Sequence, residues 1–211
     1  MAKRRRKPLL RRWPGATLLG SAAALAFASQ SCVSTVPPAE VEDLCGLVAE
    51  RSEWYSAAAR AAARWEVAPS ILLAVIHQES RFRADARPYW RLLGVPIAPA
   101  SSAYGYSQAL DGTWSEYLHD AGRLGARRDV FADAVDFVGW YADRIHREAR
   151  VPKDDAFRLY LAYHEGPGGF SRGSHAGKPW LQGVARRVAD RAALWHRDAL
   201  RCGLAEPPAP I

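Results

Sequence analysis

The chain has 211 residues, of which 29 are lysine or arginine and 22 are aspartate or glutamate, so its net charge is +7 with neutral histidines. Seven of the basic residues lie within residues 1–31, which contain no acid, and residues 32–211 therefore carry 22 basic and 22 acidic residues. A nucleic-acid-binding domain concentrates positive charge on its folded part. The neutral balance after residue 31 argues against DNA or RNA as a partner.

The first 31 residues have the pattern of a signal peptide. A basic stretch over 3–12 precedes an apolar run of thirteen residues, 16–28, and small or polar residues follow at 29–31. A helix that spans a bilayer needs about 20 apolar residues, whereas a short apolar run between basic and small residues is typical of export. The sequence therefore predicts a signal peptide over 1–31 and an exported protein.

Cys32 follows this segment and resembles the lipidated cysteine of a bacterial lipoprotein signal. Ser29 stands where such signals prefer an aliphatic residue, so that simple cleavage or an uncleaved anchor stays open. The expectation is a periplasmic protein held at a membrane by a lipid on Cys32. Val33 replaces the aspartate that retains some lipoproteins in the inner membrane, which favours the outer membrane. Residues 32–40, with prolines at 37 and 38, are predicted to form a tether.

The other two cysteines, Cys45 and Cys202, lie near the two ends of the exported chain. An oxidising compartment permits a disulfide between them, and two unpaired buried thiols are the alternative. The chain has no cysteine or histidine spacing that is typical of structural zinc. We therefore expect no metal site.

Residues 41–204 are predicted to form one mainly α-helical domain, with a short tail at 205–211. Apolar residues recur at intervals of three and four through most of this region, over 41–65, from 69 onward, and near 111–124, 129–149, 154–163 and 180–201. No segment alternates apolar and polar residues long enough to predict a strand. Two stretches rich in glycine and proline, 84–107 and 166–179, are predicted to be long loops along one side of the domain.

Glu79 is the candidate catalytic group. In a helix that begins at Pro69, the residues Leu72, Val75, Ile76 and Glu79 fall on one face. A carboxylate on this apolar face points toward the interior, where burial raises its pKa. With an ordinary pKa it is almost fully ionised at neutral pH, whereas a pKa near 6.5 leaves a useful fraction protonated. The position predicts a general acid, and a surface glutamate paired with a nearby arginine is the alternative.

Three short motifs then occur in order. They are Glu79-Ser80-x-Phe82, Gly105-x-x-Gln108 with Thr113, and Ala162-Tyr163-x-x-Gly166-Pro167-Gly168. In this order and rough spacing they resemble lytic transglycosylase domains of the soluble-lytic-transglycosylase family, within the goose-type lysozyme superfamily. The resemblance covers about residues 66–170. It implies a lysozyme-like helical domain whose two long loops line a glycan groove.

The resemblance also implies an activity. Members of the family cleave the β-1,4 bond between N-acetylmuramic acid and N-acetylglucosamine in peptidoglycan, and they leave 1,6-anhydro-muramic acid ends. One glutamate, here Glu79, acts first as acid and then as base, with no cofactor, and a monomer is expected. Two alternatives remain: a water-using muramidase with Glu165 or Asp111 as its base, and a catalytically inactive peptidoglycan-binding protein.

Further site residues carry over from the family by position. Tyr163 matches the tyrosine that approaches and holds the catalytic glutamate, and Gln108 matches the glutamine that contacts the bound sugar. Gly105 is expected to let the backbone approach the glycan. Tyr106 and Ser107 replace two apolar groove residues of the family with a stacking ring and a hydroxyl.

The third motif departs from the family pattern at two positions. His164 and Glu165 replace an amide and a methyl side chain. They are expected to tune Glu79 and Tyr163, or Glu165 positions a water and shifts some product toward hydrolysis. A surface pair that faces Arg172 is the third possibility.

The first loop departs from the family as well. Ser102 is the nearest counterpart of a family serine near the muramoyl group, shifted by two or three places together with its neighbour Ser101. The loop is about ten residues longer than usual, and it adds three aromatic residues, Tyr89, Trp90 and Tyr104. They are expected either to stack on sugar rings or to pack the loop itself.

Overall fold

The computed structural model describes residues 37–204; the predicted signal peptide, Cys32 and the tail at 205–211 lie outside the described residues. The part it describes is mainly helical, as predicted. Its elements are α1 Leu44–Glu50, α2 Ser52–Trp65, α3 Pro69–Ser80, β1 Tyr89–Leu92, β2 Val95–Pro99, α4 Asp111–Asp120, α5 Phe131–Ala149, α6 Ala156–Ser171 and α7 Pro179–Arg201. Among residues 37–204, none of the helices has the length and apolar composition needed to traverse a bilayer.

Helix α3 lies at the centre of the core. Residues 71–76 are all buried, and α2, α5 and α7 pack around them. The helix is therefore apolar on every side, as expected for a helix surrounded by others, and not on one face alone. It ends where Arg81 and Phe82 both adopt left-handed backbone conformations, with φ of 50° and 60°. Because the chain turns there, Glu79 stands in the last turn of a buried helix.

Aromatic side chains fill the space beside α3. The ring of Trp54 stacks on that of Phe131 with centroids 4.4 Å apart, and Tyr106 lies edge-on to both at 5.7 and 5.3 Å. Phe82 joins the same cluster at 5.3 Å from Trp54. These contacts fasten the loop before α4 to the helical core.

The first predicted loop contains a hairpin, contrary to the expectation of no strands. Strands β1 and β2 are antiparallel, with Tyr89 opposite Pro99 and Leu92 opposite Val95. Every strand side chain that the structure describes is exposed, on both faces. The hairpin could not be predicted because a strand with no buried face has no reason to alternate apolar and polar residues.

The second predicted loop is shorter than expected. Helix α6 continues to Ser171 after a kink at Gly166, whose φ of 74° and ψ of 156° are not helical. Pro167 is accommodated because it opens the new segment, where its missing N–H is not required. Only residues 172–178 connect α6 to α7.

A disulfide joins Cys45 in α1 to Cys202 after α7, with Cα atoms 5.9 Å apart, which confirms the predicted pairing. The same ends are joined by Arg191, which donates to the carboxylate of Glu42 at 2.9 Å. All core residues and both cysteines lie within residues 44–202. A chain that begins at Val33 therefore retains the whole core and its cross-link.

Candidate active site

An open groove of about 390 Å³ lies where the end of α3, the loop before α4, α5 and α6 meet. It contains five of the predicted site residues, which are Glu79, Gln108, Tyr163, His164 and Glu165. The rest of its lining is mainly apolar and comprises Ala103, Ala109, Leu110, Thr113, Phe137, Tyr141 and Gly166. Residues that are distant in sequence thus meet around one carboxyl group.

Glu79 is only partly exposed in this groove. Burial raises the pKa of its carboxyl from 4.5 to about 7, and a hydrogen bond from the Tyr160 hydroxyl acts in the opposite direction. At neutral pH, a carboxyl with a pKa near 7 is protonated in about half of the molecules and ionised in the rest. Such a group can first donate and then accept a proton. The surroundings of Glu79 therefore fit a single acid–base catalyst.

Tyr160 is the contact of Glu79 that sequence analysis missed. Its side chain is buried in α6, and this burial, with a smaller effect of the nearby Glu79 charge, raises the pKa of the phenol. Its ring lies nearly parallel to that of Tyr163, 6.4 Å away. The available signal was the spacing of three between the tyrosines, which places both on one helix face.

Tyr163 has a different contact from the one predicted. Its hydroxyl donates to the backbone carbonyl of Ser107 at 2.7 Å, so the proton expected for Glu79 is already used. Its ring lies edge-on to Tyr141 at 5.3 Å, and the Glu79 charge helps to raise the pKa of its phenol. Tyr163 therefore lines the groove with Glu79 and fastens α6 to the loop before α4, while Tyr160 is the tyrosine that lowers the pKa of the carboxyl.

Gln108 lines the groove in a left-handed backbone conformation, with φ of 51°. Its Nε2 donates to the carbonyl oxygens of Ala86 at 2.9 Å and Gly105 at 2.8 Å. Both amide protons are thus used within the loop, and the Oε1 atom is what the side chain can offer to a ligand. Gln108 therefore lies in the groove, as predicted, and also stabilises the loop through its amide.

Gly105 is required for a reason other than the one expected. Its φ is 76°, and a Cβ atom at this position would lie 2.2 Å from the backbone oxygen of Arg128. That oxygen accepts a hydrogen bond from the Tyr106 N–H at 3.1 Å. The close approach that needs a glycine is made by the protein backbone and not by the glycan.

Tyr106 and Ser107 were expected in the groove, but neither side chain reaches it. Tyr106 is 1% exposed within the cluster of Trp54 and Phe131, where it cannot stack on a sugar. Ser107 is fully buried, and its Oγ has no hydrogen-bond partner in the part of the chain that the structure describes. Both residues support the loop that presents Gln108.

Tyr104 and Ser102 also lie outside the groove lining. The guanidinium groups of Arg87 and Arg128 lie 4.1 and 5.6 Å from the centre of the Tyr104 ring, so this ring packs the loop. The Ser102 Oγ accepts a hydrogen bond from the Asp111 N–H at 3.2 Å at the start of α4. Their contacts lie within the loop, and neither residue is part of the groove lining.

His164 and Glu165 line the groove, and Glu165 is held by three neighbours. Lys178 approaches its two carboxylate oxygens at 2.7 and 3.0 Å, Ser174 donates a hydrogen bond to it, and the Nδ1 atom of His164 lies 3.0 Å away. These contacts, Lys178 first, lower the pKa of Glu165 to about 2. Lys178 and not Arg172 is the cationic partner of Glu165, which is contrary to the third possibility, a pair that faces Arg172.

Comparison with known families places this geometry in context. Residues 20–202 match the family model described as Transglycosylase SLT domain. No curated protein and no solved structure matched the chain. The match spans nearly all of residues 37–204, including every element that lines the groove.

Proposed function

The chain belongs to the transglycosylase SLT-domain family, whose function is transglycosylation of peptidoglycan, and from this premise we propose that it is a lytic transglycosylase with Glu79 as its single acid–base catalyst. The product is a glycan strand that ends in 1,6-anhydro-muramic acid. The observation that carries the proposal is the position of Glu79, which stands partly buried in the last turn of α3 and lines the groove, where burial raises its pKa to about 7.

In the first step, the protonated Glu79 donates its proton to the oxygen that joins N-acetylmuramic acid to N-acetylglucosamine. The bond between that oxygen and the muramoyl C1 breaks, and positive charge develops at C1. The N-acetyl group of the same sugar stabilises this charge, as the resemblance to the family implies. A partly buried carboxyl is suited to the step because its neutral form is abundant at neutral pH.

In the second step, the ionised Glu79 takes the proton of the muramoyl C6 hydroxyl. The C6 oxygen attacks C1 and closes the anhydro ring, so that Glu79 ends in the protonated form in which it began. No water is consumed, and no second carboxylate is needed. Tyr160 stabilises the ionised Glu79 between the two steps through the hydrogen bond that lowers its pKa.

The two carboxylates considered as bases for a muramidase are poorly suited to that role. Glu165 is bound by Lys178 and has a pKa lowered to about 2, so it is a weak base. Asp111 is exposed, pairs with Arg128 at 2.8 Å, and is not part of the groove lining. A water-using glycosidase generally needs a second carboxylate that is free to activate water.

An inactive binding protein is also less consistent with the site. A groove that only binds glycan has no use for a carboxyl whose ionisation is opposed by burial, because the desolvation weakens the fold without contributing to binding. A partly buried Glu79 in the groove is explained if its role is to transfer protons.

The experiment is a digest of purified sacculi with a chain that begins at Val33, beside Glu79→Gln, read by mass spectrometry. Muropeptides one water lighter than muramidase products, absent with Glu79→Gln, are expected. Reducing-end products would support hydrolysis. If neither protein releases products while both pellet with sacculi, the binding-only alternative is correct.

We further propose that the protein is exported to the periplasm and anchored in the outer membrane by a lipid on Cys32. The support is the sequence pattern of residues 1–32 and a family that acts on peptidoglycan. Metabolic labelling with an alkyne fatty acid should mark the full chain and not Cys32→Ala, and labelled protein should fractionate with outer membranes.

A further inference from the structure

The β-hairpin formed by residues 89–99, hereafter the apolar hairpin, has no core on either face. Its exposed large side chains are Tyr89, Trp90, Leu92, Leu93, Val95 and Ile97. Leu93, at the turn, is 97% exposed, and Trp90 is 64% exposed. A two-stranded hairpin is marginally stable in water by itself, and contiguous exposed apolar surface marks an interaction site. From the apolar hairpin we propose that this protein has a second binding surface, which inserts into a lipid bilayer.

The turn of the apolar hairpin supports a role outside folding. Leu93 and Gly94 have φ of 51° and 85°, a turn in which both central residues are left-handed and in which asparagine and glycine are preferred. A leucine in this conformation is strained. Since Leu93 makes no buried contact that would offset the strain, its side chain is explained by contact with something outside the described chain.

The order of side chains along the apolar hairpin matches the profile of a bilayer surface. Tyr89 and Trp90 lie at the base of the hairpin, and the aliphatic Leu92, Leu93 and Val95 lie at its tip. Tryptophan and tyrosine favour the headgroup region, whereas aliphatic side chains favour the acyl region below it. A sugar-binding platform would instead combine aromatic rings with hydrogen-bonding groups, and the aliphatic tip has none.

Charge also favours a membrane surface. Residues 86–110 contain no aspartate or glutamate, and the charged residues among them are arginines. Such a segment is attracted to anionic headgroups, and an apolar surface flanked by basic residues is typical of elements that lie in the bilayer interface. These arginines, Arg87 and Arg91, thus favour anionic lipid over an uncharged apolar partner.

Three prolines make strand pairing with another protein unfavourable. Pro88 precedes β1, and Pro96 and Pro99 lie within β2, opposite Arg91 and Tyr89. Proline removes backbone donors from a sheet edge and blocks the addition of a strand. Fewer unpaired N–H groups also lower the cost of placing the edge in an apolar environment.

Insertion of the apolar hairpin would hold the groove close to a membrane. The hairpin is connected directly to the groove loop, since the Ala86 carbonyl accepts from the Gly105 N–H at 3.0 Å and from Gln108 at 2.9 Å. This contact requires neither the lipid on Cys32 nor the proposed reaction. It would confine cleavage to glycan strands that lie next to the bilayer.

The test uses the chain that begins at Val33, which lacks both Cys32 and the apolar run of the leader. Co-sedimentation with vesicles of phosphatidylethanolamine and phosphatidylglycerol is compared with vesicles of phosphatidylcholine alone. We expect binding that is stronger with phosphatidylglycerol, and about tenfold weaker or more in the variant Leu92→Ser/Leu93→Asn/Ile97→Ser. Asparagine suits the turn, so this variant should keep the melting temperature of the parent.

Two matched controls identify the surface. Leu124→Ser/Leu200→Ser removes two exposed leucines elsewhere and should leave vesicle binding unchanged. Brominated lipid should quench Trp90, so that the quenching is lost in Trp90→Phe. It should persist in Trp180→Phe, which removes another exposed tryptophan, 57% accessible.

Several results would overturn the proposal. If the parent chain fails to bind vesicles, or if the hairpin variant binds them equally well, insertion is contradicted. Loss of quenching in Trp180→Phe alone would place the lipid contact elsewhere. Loss of sacculus binding by the hairpin variant in the absence of lipid would assign the hairpin to glycan. A concentration-dependent dimer that the hairpin variant abolishes would assign the surface to a second copy. Isolated sacculi contain no bilayer, so the parent and the hairpin variant should digest them equally. If neither digests them, the proposed catalytic function fails, but the vesicle-binding result still tests the membrane proposal.

Discussion

The hydroxyl of Tyr160 acts on the carboxyl of Glu79 as a hydrogen-bond donor and lowers its pKa, against the larger and opposite effect of burial. Tyr163, one turn further along α6, instead binds the Ser107 carbonyl at 2.7 Å. The two tyrosines lie on the same helix face but have different effects. Tyr160 lowers the pKa of the Glu79 carboxyl, and Tyr163 fixes the loop that carries Gln108. Substitutions at the two positions should therefore have different effects.

Tyr160→Phe should raise the pKa of Glu79 above its present value of about 7, because the lost hydrogen bond stabilises the ionised form. The alkaline limb of the pH profile of kcat/KM, which reports loss of the protonated acid, should move to higher pH by roughly half a unit. Tyr163→Phe is the matched control: it should slow turnover and weaken the loop, with the limb unmoved. Identical profiles for the two variants would remove the distinction.

Glu79→Gln should abolish cleavage and also stabilise the fold at alkaline pH. Because folding raises the pKa of Glu79 from 4.5 to about 7, its contribution to stability is full below pH 4.5 and is lost as the pH rises through 7. Allowing for its partial exposure, the variant should gain about 2 kcal/mol at pH 8, or roughly 5 °C in Tm. At pH 4 the two proteins should melt together, and urea unfolding at both values checks this.

His77 should make the free energy of unfolding depend on pH in the sense opposite to Glu79. It is buried between Phe82 and Trp195, and burial, with a smaller effect of Arg191, lowers its pKa from 6.5 to about 4. The unfolded chain takes up a proton that the folded chain does not, so stability is full above pH 6.5 and falls as the pH drops toward 4, by up to about 3 kcal/mol. Because Glu79 changes stability in the opposite direction over the same pH range, the test is made in the Glu79→Gln background. There His77→Phe should flatten the acid limb, and an unchanged limb would contradict the assignment.

Glu165→Gln tests whether the second carboxylate of the groove takes part in the chemistry. Lys178 and Ser174 hold it in the ionised form, so it has no proton to give and little basicity. The variant should still release anhydro-muropeptides, with turnover within about threefold of the parent, and should lose about 1 kcal/mol of stability through the broken ion pair. If the parent releases both anhydro and reducing-end products and Glu165→Gln loses the reducing-end products, Glu165 acts as a base.

Gly105→Ala should be among the most destabilising small substitutions in the chain. The added methyl group would lie 2.2 Å from the Arg128 carbonyl oxygen at a backbone φ of 76°, so both contact and conformation oppose it. We expect a loss of about 2–4 kcal/mol, measured by urea unfolding. Gly122→Ala, at a φ of 65° with open space around it, is the control and should cost about 1 kcal/mol.

Local chemistry was sufficient to predict the class of fold, the groove position of Glu79 and the cross-link. The helices were predictable because apolar side chains recur at intervals of three and four, and Glu79 was predictable as a partly buried carboxyl because it follows the apolar residues of α3. Cys45 and Cys202 were predicted as partners because they are the cysteines near the two ends of the exported chain. These features depend on periodicity or on residue type alone.

Only the tertiary structure decided which neighbours surround the acid and which loop residues face the groove. Tyr106 was expected to contact sugar and is buried, because its ring packs edge-on against those of Trp54 and Phe131. Gly105 was expected to face the glycan and faces the Arg128 carbonyl, which lies 23 positions later in the chain. Sequence patterns report the direction of a side chain relative to its own element. Contacts between elements depend on how those elements pack, and this packing brings Tyr160 to Glu79.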